Sequence, residues 1–343
     1  MRCKAIGYIL FFMSSLFIIS FSSLAEEKET PVEYEAGFYY TVKKGDTLWD
    51  LSQHFSDSAW LWPDLWGENR QLPNPHWIYP GQRIRLFQKN WLDQVIIPEE
   101  VSEEVSVESK FRPEESVYFL YPPINTVGFL RKEPIKPSGA IFGVQDDKEM
   151  ISEGDIVYIR QMDPVPFKSG DLYTVYRTLK PPVGEDGKKY DGVQHFLTGR
   201  IEITQTKPDY AVAKVIQSYQ AIIKSDFIMP YRPKSPEINL ASSIKELQGR
   251  ILFSEEHAKI MGDNTIVFID KGKESGVQPG QFYRIYNQEK KRPDSSSRKE
   301  TLLDPVDFGQ LLVLHTEQTT ATVLITASEK EISPGTRIRG LTP

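Results

Sequence analysis

Apolar residues follow one spacing near the start of the chain and another in its second half. Residues 40–42 form a short β-like run, and Leu48, Leu51 and Phe55 then recur at the spacing of one helix face. Residues 83–86 alternate polar and apolar side chains, as a half-buried returning strand does. This order predicts a small βααβ module.

Local signals support the two helices of this module. Asp46 and Thr47 precede the first apolar helix position, where side-chain oxygens can accept hydrogen bonds from first-turn amides. Pro63 suits the first turn of a second helix because it lacks a donor that would have no partner there, and Asp64 favours the positive end of the helix dipole. Pro80 and Gly81 predict a turn before the last strand.

From Val117 onward the chain has a β-like pattern. Runs rich in β-branched and aromatic residues alternate with clusters of Gly, Pro and Asp. Residues 141–228 also align with residues 251–338 at a constant offset of 110 positions without a gap. Each copy is large enough for its own core, so the repeat predicts two homologous β modules that close as small barrels.

The N-terminal segment has the pattern of an export signal. Two basic residues precede an apolar run from Ala5 to Ser23, and small residues stand before Glu26 at the positions expected of a cleavage site. An uncleaved membrane anchor is the alternative, and both place the rest of the chain outside the cytoplasm. The single Cys3 lies in this segment. We therefore expect an exported protein of the periplasm or cell envelope.

These patterns predict a multidomain chain in which an α+β module precedes two all-β modules. An acidic stretch between the first module and the β-like region has few apolar residues and is expected to be a linker. The predicted segments are a signal peptide at 1–25, an acidic tether at 26–37, the βααβ module at 38–88, an acidic linker at 89–118, the first β module at 119–230, a linker at 231–248 and the second β module at 249–343.

The βααβ segment resembles the LysM family. Residues 45–49 read GDTLW and residues 78–82 read IYPGQ, and both motifs occur in the family's order and spacing. The resemblance implies binding of glycans that contain N-acetylglucosamine, which for an exported bacterial chain means peptidoglycan. It also implies a shallow groove between two loops, with these glycan-binding residues: Gly45, Asp46, Thr47, Leu48, Asn74, Pro75, Trp77 and Ile78.

Tryptophans are unusually frequent in this module. We expect Trp49, Trp62 and Trp66 to form its core, since a module this small needs large side chains to build one. Trp77 suits either the core or the face of a sugar.

The β modules have a weaker likeness. Residues 267–286 resemble the SH3-like C-terminal domain of flagellar assembly protein T. That likeness implies a scaffold role in the envelope, with a protein partner whose identity stays open.

Composition narrows the function classes. The formal net charge of -6 disfavours binding to nucleic acid phosphates. The five histidines are scattered, and the chain has neither a phosphate-binding glycine loop nor a GxSxG motif, so we expect no catalytic residues, no metal and no cofactor.

The leading hypothesis is a non-catalytic peptidoglycan-binding anchor or scaffold. The alternative is a peptidoglycan hydrolase that the LysM module targets to its substrate and whose β catalytic domain is unrecognised.

Overall fold

The computed structural model describes residues 34–86, 117–184, 187, 189–292 and 300–340. The predicted signal peptide and nearly all of the acidic linker lie outside these residues. Among the described residues, no helix is long and apolar enough to cross a membrane. From Tyr34 onward, the described residues belong to one compact unit.

The first module has the predicted βααβ order. Its elements are β1 (Gly37–Thr41), α1 (Leu48–Ser56), α2 (Trp62–Gly67) and β2 (Arg83–Arg85). Strands β1 and β2 pair antiparallel with Tyr40 opposite Ile84. Thr47 caps α1 by accepting a 3.1 Å hydrogen bond from the Asp50 amide, and Leu48, Leu51 and Phe55 are buried on the helix's inner face.

The first β module is a closed barrel of six strands. Two short strands come before it, β3 (Val117–Leu120) and β4 (Phe129–Arg131). The barrel strands are β5 (Gly139–Val144), β6 (Ile156–Gln161), β7 (Leu172–Leu179), β8 (Val193–Thr206), β9 (Ala211–Ser218) and β10 (Phe227–Pro230). They pair in the order β8-β7-β10-β5-β6-β9, and pairing of β9 with β8 closes the ring, to which β4 is added beside β8.

The second β module is also a closed six-stranded barrel. A short strand, β11 (Glu237–Asn239), lies between the two barrels. The second barrel contains β12 (Gln248–Ser254), β13 (Ile266–Ile269), β14 (Phe282–Asn287), β17 (Val306–Thr316), β18 (Ala321–Ser328) and β19 (Arg337–Arg339). A hairpin of β15 (Lys290–Lys291) and β16 (Thr301–Leu302) extends from it. The prediction of two β barrels is confirmed, and each barrel has six strands.

Both barrels keep the offset of 110 positions in their strand pairing. Ile156 faces Lys214 in the first barrel, and Ile266 faces Leu324 in the second. The register of β7 with β8 shifts after Val175, and that of β14 with β17 shifts after Ile285. A bulge is a local distortion of the ladder, so its recurrence at equivalent positions shows that the two copies share a backbone as well as a sequence pattern.

Two strands that were expected to lie in or beside linkers extend the sheet of the first module. The sheet has the order β11-β3-β1-β2, with Phe38 opposite Phe119 and Ile238 opposite Phe119 from the other side. All four residues of β3 are buried. The apolar side chains of β3 are therefore buried by pairing with β1. Residues 237–239, which were predicted to be linker, pair with the other edge of β3 as a strand.

The first module and the second barrel also share one apolar core. The Phe38 ring lies 4.9 Å from that of Phe119 and 5.7 Å from that of Phe282 on β14. Leu312 and Leu324 of the second barrel belong to the same cluster as the helix residues of the first module. The first module is thus joined to the second barrel by a common core.

Candidate glycan-binding site

The first predicted binding loop follows β1. Gly45 has a positive φ of +95° with nothing near the position of a Cβ atom, so the turn needs a residue that tolerates this backbone conformation. The Asp46 carboxylate accepts hydrogen bonds of 2.7 Å from both the Tyr40 hydroxyl and the Lys43 amide. These bonds fix the loop against β1 and leave Gly45 and Thr47 exposed at its tip.

The second predicted loop lies between α2 and β2. Asn74 holds it together, because its side-chain oxygen accepts a 2.9 Å bond from the His76 amide and its carbonyl accepts a 3.2 Å bond from the Trp77 amide. Pro75 is half-buried and precedes the turn. Ile78 is half-buried and packs against the core cluster that contains Leu48, so both loops rest on one apolar support.

Leu48 has a role different from the one expected of it. The resemblance to the LysM family implied that Leu48 is one of the glycan-binding residues. The Leu48 side chain is only 2% exposed and belongs to the core. Its position on the inner face of α1 explains this, and only its backbone remains for a ligand.

The tryptophans divide differently from the prediction. Trp62 and Trp66 are half-buried and pack against the core, as expected, and the Trp66 indole donates a 2.9 Å bond to the Leu72 carbonyl. Trp49, predicted to be core, is 43% exposed and lies edge-on to Trp60 with 5.0 Å between ring centroids. Its direct neighbour Leu48 occupies the inner face of α1, so Trp49 points outward. Trp77 is 64% exposed.

Asn69 positions the last strand, a role that the motifs did not reveal. Its side-chain amide donates bonds of 2.7 Å to the Leu65 carbonyl and 2.9 Å to the Arg85 carbonyl, and its oxygen accepts a 2.7 Å bond from the Arg85 amide. The residue is fully buried. A polar residue two positions after the end of α2 is the signal that could have predicted it, because a buried side-chain amide must find hydrogen-bond partners and can join two elements by doing so.

The five histidines differ in how far they are buried. His195 lies within β8 and is fully buried, stacked on Phe129 at 4.6 Å. Burial lowers the pKa of His195 to about 4. His54 is half-buried on α1, and burial lowers its pKa too.

Among the described residues, no group of three or more His, Cys, Asp or Glu side chains could hold a metal ion.

Gln194, the residue before His195, belongs to a polar layer between the barrels that sequence reasoning missed. The Gln194 side chain donates a 2.7 Å bond to the Glu255 carbonyl, and its oxygen lies 2.6 Å from His257 Nε2. Glu255 accepts a 2.7 Å bond from the Gly128 amide, and burial raises the pKa of this carboxyl to about 7. These residues are far apart in sequence, which is why no local motif pointed to them.

The first module matches a known family. The model of the LysM domain matches residues 40–87. YqbP of Bacillus subtilis (strain 168), described as an uncharacterized protein, is 42% identical over 59 residues, which are 14% of this chain and 27% of that protein. The potassium binding protein Kbp of Escherichia coli O6:H1 is 34% identical over 70 residues, which are 20% of this chain and 47% of that protein.

These matches confirm that residues 40–87 are a LysM domain. The chain covers less than half the length of either relative. A LysM domain is a binding domain and implies binding to peptidoglycan or related glycans. The likeness of the β modules to an SH3-like domain is not confirmed by these matches.

Proposed function

We propose that this chain is a non-catalytic peptidoglycan-binding protein of the bacterial cell envelope, in which the LysM domain is an anchor and the two barrels present surfaces to a protein partner. The export pattern of the N-terminal residues supports the location. The LysM domain supports peptidoglycan as the ligand.

The observation that carries this proposal is the division of the LysM domain into a covered face and an open one. Its β1 side is covered by Phe119 and Phe282. On the open side, Gly45, Thr47 and Trp77 are exposed in the two loops that the family uses for glycans. A glycan can reach these loops while the domain stays attached to the second barrel.

The chemistry of the loops suits an acetamido sugar. Backbone amides at the tip of the first loop can bond the acetamido carbonyl, and an exposed aromatic face such as that of Trp77 can stack on the ring. Because the LysM domain and the second barrel share one apolar core, a glycan bound by the domain would hold the barrels at a fixed position beside it.

The test is co-sedimentation of the full chain with insoluble peptidoglycan. We expect the wild-type chain to pellet and Trp77→Ala to leave more protein in the supernatant. Phe142→Ala is the matched control, since Phe142 is an aromatic residue of the first barrel that is 51% exposed. Retention of the wild-type chain in the supernatant would overturn the proposal.

Point substitutions are preferable to deletion of the LysM domain. Deletion would uncover β3 and the apolar face of the second barrel, and the exposed patch could itself cause sedimentation. The supernatants of the same incubations test whether the chain lacks hydrolase activity. Release of soluble muropeptides above a heat-killed control would show that the chain is a hydrolase.

A further inference from the structure

A cavity of about 370 Å³ lies where the first barrel, the segment after it and the end of β17 meet. Its volume falls in the range of small-molecule sites, roughly 300–1,000 Å³. One wall is apolar and is formed by Phe129, Ile135, Leu197 and Met229. The cavity is separate from the LysM loops.

The charged residues that line the cavity are mostly cationic. The lining contains Arg131, Arg232 and Lys234 but only one carboxylate, that of Glu317. The Glu255 carboxylate acts on Lys234 from outside the lining. The Glu317 carboxylate is already engaged, since it lies 3.0 Å from His315 Nε2 and 3.5 Å from Arg131 Nε. Burial lowers the pKa of the His315 ring. The cavity therefore has an excess of positive charge beside an apolar wall.

Lys234 is the residue whose position most needs an explanation. Its Nζ is buried and has no hydrogen-bond partner among the described residues. The backbone around it is held by Asn125, whose side-chain oxygen accepts a 2.9 Å bond from the Lys234 backbone amide and whose side-chain Nδ2 donates a 3.4 Å bond to the Lys234 carbonyl. Withdrawing an ammonium from water without a partner is unfavourable, and an anion in the cavity would supply that partner.

We propose that this cavity binds a small amphiphilic carboxylate, whose charged group is held by Lys234 and whose hydrocarbon portion lies against Phe129, Leu197 and Met229. A monoanion is favoured over a dianion because Glu317 keeps one negative charge at the site. The apolar wall favours a ligand with a hydrocarbon chain over a fully polar anion. The site is independent of glycan binding by the LysM domain.

The test is titration calorimetry of the full chain with octanoate at neutral pH and low salt. We expect saturable binding at one site. Acetate and octanol, which supply only the charge or only the hydrocarbon, should each bind at least tenfold more weakly. Lys234→Gln should lower the octanoate affinity at least tenfold, since a hydrogen bond to a charged group contributes about 1.5–3 kcal/mol.

Two further variants keep the result interpretable. Lys214→Gln makes the same change at an exposed lysine of β9 that does not line the cavity, and it should bind octanoate as the wild type does. Met229→Trp should fill the cavity and abolish binding while Lys234 stays in place. Absence of saturable octanoate binding, or equal affinity in Lys234→Gln and the wild type, would overturn the proposal.

Discussion

The two barrels have the same strand order, yet corresponding faces of them meet different surroundings. On the second barrel, Leu312 and Leu324 are buried against the LysM domain. At the equivalent positions 110 residues earlier, the first barrel has Glu202, which is half-buried, and Lys214, which is exposed. Phe282 likewise corresponds to Leu172, which is 39% exposed. One backbone thus provides an apolar docking face in one copy and a solvated face in the other.

This difference explains why the LysM domain packs against the second barrel and not against the equivalent face of the first. A strand's side chains alternate between the barrel interior and the outside, so outward positions can change without altering the interior. The interiors remain alike, with Val157, Ile159 and Val215 in the first barrel matched by Val267, Ile269 and Ile325 in the second. Substitution at outward positions is therefore enough to give the copies different partners.

The largest effect is expected when position 324 of the second barrel receives the lysine that the first barrel has at the equivalent position 214. Leu324→Lys places an ammonium in the core shared with the LysM domain, where Leu324 is 1% exposed. We expect the free energy of unfolding to fall by roughly 4 kcal/mol or more, from lost burial and an unpaired charge. Urea unfolding followed by tryptophan fluorescence measures it.

The reciprocal substitution is the control. Lys214→Leu in the first barrel replaces an exposed side chain, so its effect should stay within about 0.5 kcal/mol. Equal losses for Leu324→Lys and Lys214→Leu would mean that the two faces do not differ as described.

The two barrels also differ in how deeply their ion pairs are buried. In the first barrel, the Arg177 guanidinium donates bonds of 2.8 and 3.0 Å to Asp226, whose side chain is 1% exposed. Position 336 of the second barrel corresponds to Asp226 and is Thr336, which donates a 2.7 Å bond to the Ser333 carbonyl. The second barrel instead has a bidentate pair of Arg339 with Asp307, whose side chains are 25% and 32% exposed.

Removal of each acid should show how burial sets the strength of these pairs. Asp226→Ala leaves a guanidinium without its carboxylate and should cost about 3 kcal/mol of stability. Asp307→Ala removes a partner from a more solvated pair and should cost about 1 kcal/mol or less. Denaturant midpoints of the two variants test this order, and a larger loss for Asp307→Ala contradicts it.

Glu255 offers a comparison that depends on pH. Its equivalent in the first barrel is Gln145, which is exposed. Burial, together with the nearby Glu256 carboxylate, raises the pKa of Glu255 to about 7, although the Gly128 amide and Lys234 act in the opposite direction. Since the folded state holds this proton more tightly than the unfolded state, the contribution of Glu255 to stability is complete below its ordinary pKa of 4.5 and is lost as the pH rises to about 7.

Glu255→Gln makes the second barrel like the first at this position and removes that titration. Relative to the variant, the wild type should lose on the order of 2–3 kcal/mol of stability between pH 4.5 and pH 7. The difference must be measured between the two proteins at each pH, because His195, whose pKa is lowered to about 4, changes wild-type stability in the opposite direction. A difference that is constant with pH would show that Glu255 does not titrate in this range.

The sequence predicted those parts of the fold that depend on local patterns. The βααβ order follows from apolar spacing and helix caps, and the offset of 110 residues appears in the strand register itself. Packing between distant segments was not predictable. The run 117–120 suits a strand of any sheet, and nothing local indicates that it covers β1 rather than entering a barrel.

The candidate site shows the same limit at the level of single residues. The motifs located the two loops that are predicted to bind glycan, while Trp49 was assigned to the core because of its size alone. Leu48 and Trp49 are neighbours on one helix, so only one of them can occupy its inner face. Leu48 continues the spacing of Leu51 and Phe55, and this periodicity was a better guide than residue size.

The smallest expected effect concerns a turn that both barrels share. Gly154 and Asn264 occupy equivalent positions with φ values of 90° and 61°, and their amides bond to Val215 and Ile325 with lengths of 2.9 and 2.8 Å. Nothing lies within 4 Å of a Cβ atom at Gly154, so only backbone strain should penalise a substitution. Because asparagine tolerates this region and valine does not, Gly154→Asn should change stability by about 0.5 kcal/mol or less, whereas Gly154→Val should cost roughly 1–2 kcal/mol. Thermal unfolding of both variants measures the difference, and equal melting temperatures would mean that the turn relaxes to accept any side chain.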